Sequence, residues 1–217
     1  MQLLPARAVL TGLVLLAISS TASGPDYAKP SPHHHTTAIP RPISPQCGVH
    51  CGTERWAVKT LSDDDAGDVD FDPRSHTVRF LRNRIRPSRF PATRIPGIEF
   101  QTFRVRALLI GFKKEDDRDF HVVIADRRNR AETMIIEFPD SDCSGFCSSV
   151  QQAQMRAARQ AFIDRFGDLP AGFRRLTERV EVLIKGVGFF DRFHHQTGVA
   201  RPSGLEIHPV LSFTVVE

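Results

Sequence analysis

A mainly β fold with one long helix, in the order β-β-β-α-β-β over residues 99–217, is what this 217-residue chain predicts. Three observations carry the prediction. Five segments of strand length alternate apolar and polar residues or run apolar throughout. One segment between the third and fourth repeats apolar residues at helical spacing, and glycines interrupt the strands where a tightly curved sheet must bend. The order is that of the OB-fold, a five-stranded Greek-key barrel. The expectation is therefore an OB-like barrel over 99–217 with a short N-terminal extension, and another small α+β sheet of the same order is the alternative.

The first strand is read from "FQTFRVRALLIGFKKE", where Phe103, Val105, Ala107 and Leu109 recur at period two. "DFHVVIAD" and "ETMIIEF" make the second and third, joined by the polar turn "RRNRA", Arg127 to Ala131. That turn sets Asp126 opposite Glu132 and fixes the register of the hairpin. One face then pairs Phe120 with Phe138, Val122 with Ile136 and Ile124 with Met134. The other pairs His121 with Glu137, Val123 with Ile135 and Ala125 with Thr133. A slip of one residue would mix the two faces, so the pattern itself resists it. The wholly apolar face is expected to point into the barrel and the His121/Glu137 face outward or toward its mouth.

A helix is expected from about Ser149 to Phe166, with Met155, Ala158, Phe162 and Phe166 on one side and Gly167 as its stop. "RVEVLIKGVGFF" and "GLEIHPVLSFTVV" supply the last two strands. Gly111, Gly186 and Gly188 fall inside strands, at expected bends.

Upstream, "MQLLPARAVLTGLVLLAISSTASG" has the early cation, apolar run and small-residue ending of a secretory signal peptide, with cleavage after Ala22 or Gly24. The apolar run is shorter than the roughly 18 residues that a membrane span needs, so an exported protein, periplasmic or secreted, is expected. Residues 25–46 are rich in proline and small polar residues and read as a disordered leader. Its triplet His33, His34 and His35 is taken as solvated. Residues 47–98 form an N-terminal segment. Within it "ERWAVKTL" reads as a short strand or irregular stretch anchored by Trp56. "HTVRFLRNRI" reads as a helix with Thr77 as N-cap and Val78, Leu81 and Ile85 on its apolar side.

The net charge of +4 is local. Residues 99–217 hold 17 Lys and Arg against 17 Asp and Glu, whereas residues 25–98 hold 11 against 8. Arg79, Arg82, Arg84, Arg86, Arg89 and Arg94 run without an intervening acid. They either fit an anionic partner or fold against the acidic run Asp63 to Asp72. The four cysteines fall as Cys47 with Cys51 and Cys143 with Cys147. In an exported chain an even count reads first as disulfides, with a four-thiolate zinc site as the rival.

If the fifth strand lies beside the third, as in the OB order, Glu206 and His208 approach the His121/Glu137 pair. His121, Glu137 and His208 then offer two imidazoles and a carboxylate, a set suited to zinc or another divalent metal. An acid/base pair and a purely structural polar network are the competing readings. The loop "DRFHHQTG", carrying Asp191, His194 and His195, lies nearby as a possible ligand-gripping edge, although its phenylalanines can equally plug the barrel end.

The segments "CGTERWAVKTLSDDDAGDV", "DFHVVIAD", "MIIEFPDSDC", "GVGFFDRFHHQTGVA" and "LEIHPVL" together resemble a group of exported bacterial proteins of unknown function whose last part looks OB-like. The resemblance covers about Cys51 to Phe213. It implies that the "ERWAVKT" segment belongs with the barrel, that Cys51 bridges Cys143, and that Cys47 is left with Cys147. It carries no activity. The functional expectation is an exported OB-like binding or scaffold module for an anionic polymer, nucleic acid or polysaccharide, without a required cofactor. The alternative is a metal-dependent hydrolase centred on His121, Glu137 and His208.

Overall fold

A computed structural model of the chain describes residues 50–52 and 54–216. The expected signal peptide, the leader and Cys47 lie outside these residues. The described chain is mainly β sheet. Its strands are β1 (Asp70–His76), β2 (Gln101–Lys114), β3 (Phe120–Ala125), β4 (Thr133–Phe138), β5 (Arg174–Phe190) and β6 (Leu205–Val216). The helices are α1 (Trp56–Lys59), α2 (Val78–Arg82), α3 (Ser144–Cys147) and α4 (Gln152–Phe166).

The strands form one sheet in the order β1-β2-β3-β4-β6-β5, and β5 also pairs back onto β2, so the pairings close a ring. β1 joins β2 in parallel outside that ring. Within it β4 and β6 are parallel through Ile136 and Ile207, and the other pairs are antiparallel. The hairpin register is the expected one, residue for residue from Phe120 opposite Phe138 to Ala125 opposite Thr133.

Period two accounts for the core. Phe103, Val105, Ala107 and Leu109 of β2 join Phe120, Val122, Ile124, Met134, Ile136 and Phe138 of the hairpin in one apolar cluster. Helix α4 adds Ala158 and Phe162, and Phe162 packs its ring against Phe112, Phe120, Phe138 and Phe213. Gly167, at φ 73°, ends the helix as expected, with its N–H on the Ile163 carbonyl. Strand registers shift around Gly111 and Gly186. Both positions exclude a side chain: a Cβ at Gly186 would lie 2.3 Å from Ile207 Cγ2, and one at Gly111 would lie 2.5 Å from the Arg174 carbonyl.

The second hairpin face is not outward. Every residue of β3 is buried, and so are five of the six in β4. Val123 and Ala125 pack with Leu108 and Ile110 in a cluster of their own, and Gly198 lies against Val123. The loop between β5 and β6 therefore closes over a face that alternation alone would leave to solvent.

The N-terminal segment is also more structured than expected. "WAVK" is helical, not extended, and β1 is a sixth strand that the sequence reading lacked. Thr77 caps α2, its Oγ1 accepting from the Phe80 N–H at 3.1 Å. The helix stops at Arg82 and leaves Ile85 92 % exposed, and Pro87 bars the helix from continuing through Arg86. Thr77→Ala should cost about 1 kcal/mol, read as a lower urea midpoint with an unchanged slope.

Cys51 and Cys143 are bridged, with Cα atoms 5.7 Å apart. Cys147 is disulfide-bonded as well. Among the described residues no helix is long and apolar enough to cross a membrane.

Candidate functional site: a buried acid and histidine cluster

Three strands aim polar side chains to one place. Ile136 and Ile207 are opposed in the parallel β4–β6 pair, so their chain neighbours Glu137, Glu206 and His208 point to the other face. His121 lies opposite Glu137, and Asp119, two residues before His121, shares its side of β3. All five residues are buried.

Glu137 is the hub. Its Oε1 is 3.1 Å from His121 Nδ1, and its Oε2 is 3.0 Å from His208 Nδ1. His121 Nδ1 is also 3.2 Å from Glu115 Oε1, and its Nε2 is 2.9 Å from the Thr197 carbonyl. A carbonyl only accepts, so Nε2 carries a proton. Nδ1 faces two carboxylates, so the surroundings favour the imidazolium and engage both nitrogens. Burial works against that charge, but Glu137, the Thr197 carbonyl and Glu115 outweigh it and raise its pKa. Burial is likewise overcome at Glu137, where His121, His208 and Lys59 hold the carboxyl well below the usual range.

The opposite side of the hub is unsatisfied. His208 Nε2 stands 3.5 Å from Asp119 Oδ2. Yet Asp119 Oδ2, both His208 nitrogens and both Glu206 oxygens make no hydrogen bond. His208 approaches its carboxylates closely without the alignment of a hydrogen bond. Asp119, Glu137 and His208 offer one ligand atom each, all within 4.8 Å of one another. One imidazole and two carboxylates form a set that zinc, manganese or iron can use. Among the described residues five buried atoms around it make no hydrogen bond, the two Glu206 oxygens without an ion pair either, which fits a group that is held there. The triad can hold a metal ion.

Charge points the same way. Burial pushes Asp119 up to about 6, and the ion pair with His208 offsets it only in part. Burial, with repulsion from Glu137 and Asp191, pushes Glu206 well above the usual range. At His208 burial opposes the charge, and Asp119 and Glu137 overcome it to raise the pKa. Lys59, on α1, sets a cation against the cluster. Burial is outweighed there by Glu137, Asp191, Glu206 and Asp119, and its ammonium stays charged.

Through Glu137 the cluster borders a cleft of about 400 Å³ lined by Lys59, Lys113, Glu115, Asp117, Glu137 and Asp191, with His194, His195, Gln196 and Thr197 on the loop side. Asp191 is buried at the loop's start. Its Oδ2 is 3.0 Å from His194 Nε2 and accepts from Gln196 Nε2 at 2.7 Å. His195 is exposed, at φ 62°.

Of the expected site residues, Glu137, Asp191, His194 and His195 line the cleft, while His121, His208 and Glu206 are buried in the cluster and do not line it. His121 positions Glu137. Asp119, Glu115 and Lys59 belong to the site and went unread in the sequence. Asp119 sits in "EDDRD", which reads as a turn, and only its place two residues before His121 marks its face.

The arginine run does something else. Arg82 donates to the Arg201 carbonyl at 2.9 Å, and Arg84 to Phe80 at 3.1 Å. Arg86 donates to the carbonyls of Asp191 and Ser203, at 3.0 and 3.1 Å, and stacks on Phe193. It thereby braces the loop that covers the cluster. Arg94 is buried on Asp63 at 2.7 Å, one contact with the upstream acidic run. Of the anion-binding candidates, Arg79 and Arg89 are exposed.

No protein family, no curated protein and no solved structure matches the chain.

Proposed function

We propose that the chain is an exported, OB-like module that holds a divalent cation on Asp119, Glu137 and His208, with Glu206 as a further carboxylate, and hydrolyses a ligand received in the adjoining cleft. The observation that carries this is the set of orphaned atoms on Asp119, His208 and Glu206 around a triad with metal-ligand spacing. Buried polar atoms are normally hydrogen-bonded, and carboxylates crowded together in a buried site repel one another. A cation answers both costs at once. The OB-like reading is supported by the pairing order β2-β3-β4-β6-β5, closing on β2, with α4 between β4 and β5. Export is supported by the disulfide between Cys51 and Cys143.

A cation in such a site supplies an activated water. The protein's own share is placement. His121 holds Glu137 by one oxygen and leaves the other toward His208. Lys59 keeps a positive charge at the cleft wall, where negative charge develops during hydrolysis.

Purified protein stripped with EDTA and titrated with Zn²⁺, Mn²⁺, Mg²⁺ and Ca²⁺ in turn should bind one ion per chain. At a hundred times its Kd the preferred ion should raise stability by about 2.7 kcal/mol. Asp119→Asn and His208→Ala should abolish this. A melting curve that none of the four ions moves sinks the cation site. The hydrolytic arm is read with bis(p-nitrophenyl) phosphate and p-nitrophenyl acetate, where ion-independent rates, or rates unchanged by Asp119→Asn, would overturn it.

A further inference from the structure

A second, wider cleft lies away from the acid cluster, toward the turn end of the β3–β4 hairpin. It has a volume of about 700 Å³, and six arginines line it: Arg79, Arg104, Arg106, Arg127, Arg128 and Arg179. They come from four separate segments: the start of α2, β2, the hairpin turn and β5. All six are exposed. On β2, alternation that buries Phe103, Val105 and Ala107 in the core leaves Arg104 and Arg106 on the outer surface.

Asp126 is the acid in the groove's lining, and it and the acids paired with the lining arginines are already occupied. Asp126 accepts from the backbone N–H of Arg79 at 3.1 Å and of Arg128 at 3.0 Å. Glu181 is shared by Arg106 and Arg127, and Glu132 lies 3.6 Å from Arg79. Among the described residues Arg104, Arg128 and Arg179 have no carboxylate partner. Six guanidinium groups against three carboxylates leave a net positive groove of ligand size, and the planar fork of arginine suits phosphate oxygens.

The groove's chemistry also selects the form of the ligand. Single-stranded binding relies on aromatic faces for the bases. The one exposed aromatic beside the groove is Phe80, and both its faces are taken. Arg84 lies 3.8 Å over its ring, and His76 stacks on it with centroids 4.0 Å apart. What remains is contact with phosphates alone, which fixes position on a polymer without reading its bases.

We propose that this groove binds the phosphate backbone of double-stranded nucleic acid without sequence preference. It is a surface separate from the cleft above Asp119, Glu137 and His208. Of the arginines expected from the sequence to meet an anion, Arg79 takes part and Arg82, Arg84 and Arg86 are committed to backbone carbonyls.

The test is fluorescence anisotropy with a labelled 24-base-pair DNA duplex, titrated across salt on the full chain. Between three and six phosphate contacts give a slope of log affinity against log salt of roughly −3 to −5. Arg104→Gln/Arg128→Gln/Arg179→Gln should weaken binding at least tenfold at low salt and flatten the slope by about 3. Arg84→Gln/Arg89→Gln should change neither. Because the three arginines are exposed and unpaired, the triple variant should keep the wild-type melting curve, which separates lost contacts from lost fold. Asp119→Asn should leave duplex binding intact, so failure of the cation site would not be mistaken for failure of the groove. A salt-independent affinity, no duplex binding at 50 mM salt, a triple variant with the wild-type slope, tighter binding of the same-length single strand, or binding of heparin without binding of the duplex would each overturn the proposal.

Discussion

Replacing Arg55 with Ala is expected to lower the unfolding free energy by about 3 to 5 kcal/mol. Glu99 is fully buried and Arg55 nearly so. Arg55 Nη1 donates to Glu99 Oε1 at 2.9 Å and Nη2 to Oε2 at 2.5 Å, a bidentate pair. The same carboxylate accepts from the backbone N–H of Ile95 at 2.6 Å and of Phe190 at 2.9 Å. Arg55 also donates to the carbonyls of Thr93 and Phe190. One side chain therefore ties the start of the N-terminal segment to the end of β5 and to the approach of β2. Removing it leaves a buried carboxylate with two backbone donors and no countercharge. Adding Glu99→Gln to the Arg55 variant should recover part of the loss, because the amide carries no charge to desolvate and its oxygen still accepts from one of the two backbone N–H groups. Urea unfolding of the two single variants and the double variant measures the coupling. A loss below 1 kcal/mol for Arg55→Ala would show that the segment is held by its apolar contacts alone.

The hairpin was legible because its chemistry is local. Six residues on each strand alternate cleanly, the turn length is fixed by "RRNRA", and a one-residue slip would have put His121 among phenylalanines. The approach of Glu206 and His208 followed from strand order. What hid the rest was distance along the chain. Nothing near His121 announces that Thr197 will cap its ring or that Gly198 will sit on Val123. Those contacts depend on the β5–β6 loop folding back and being braced by Arg86, a residue from another segment. Lys59 was hidden because "ERWAVKT" has no clear period, and its helix is only four residues long. The arginines misled in the opposite sense. A contiguous run looked like a surface, but alternate members were absorbed by carbonyls, while the basic groove is assembled from residues 100 positions apart, Arg79 and Arg179.

In EDTA the protein should be most stable on the acid side, near pH 5, and should lose roughly 1 to 2 kcal/mol or more by pH 8. Asp119 drives the change. Its folded pKa of about 6 exceeds the roughly 3.9 of an unfolded aspartate, so the fold holds a proton that the unfolded chain releases. Its contribution is complete below about pH 4 and is lost as pH rises through 6; the full gap is worth roughly 3 kcal/mol, of which roughly half remains to be lost above pH 5. Burial shifts Glu206 in the same direction. His121 and His208 are also raised in the fold, so their contribution is present below about 6.5 and fades as pH climbs through their folded values. Glu137 runs the other way. Its depressed pKa gives stability above the ordinary glutamate value, and that is lost as pH falls toward its folded value. Four groups favour acid and one resists strong acid, which places the maximum between them. Asp119→Asn should remove a large part of the decline between pH 5 and 8, since an amide cannot ionise. A cation that binds Asp119, Glu137 and His208 replaces protons as the countercharge, so a saturating divalent ion should restore stability at pH 8 and change it little at pH 5. Chemical unfolding at four pH values, with EDTA and with the preferred ion, reads both effects. Equal or greater stability at pH 8 than at pH 5 in EDTA would mean that the cluster already holds its countercharge within the chain.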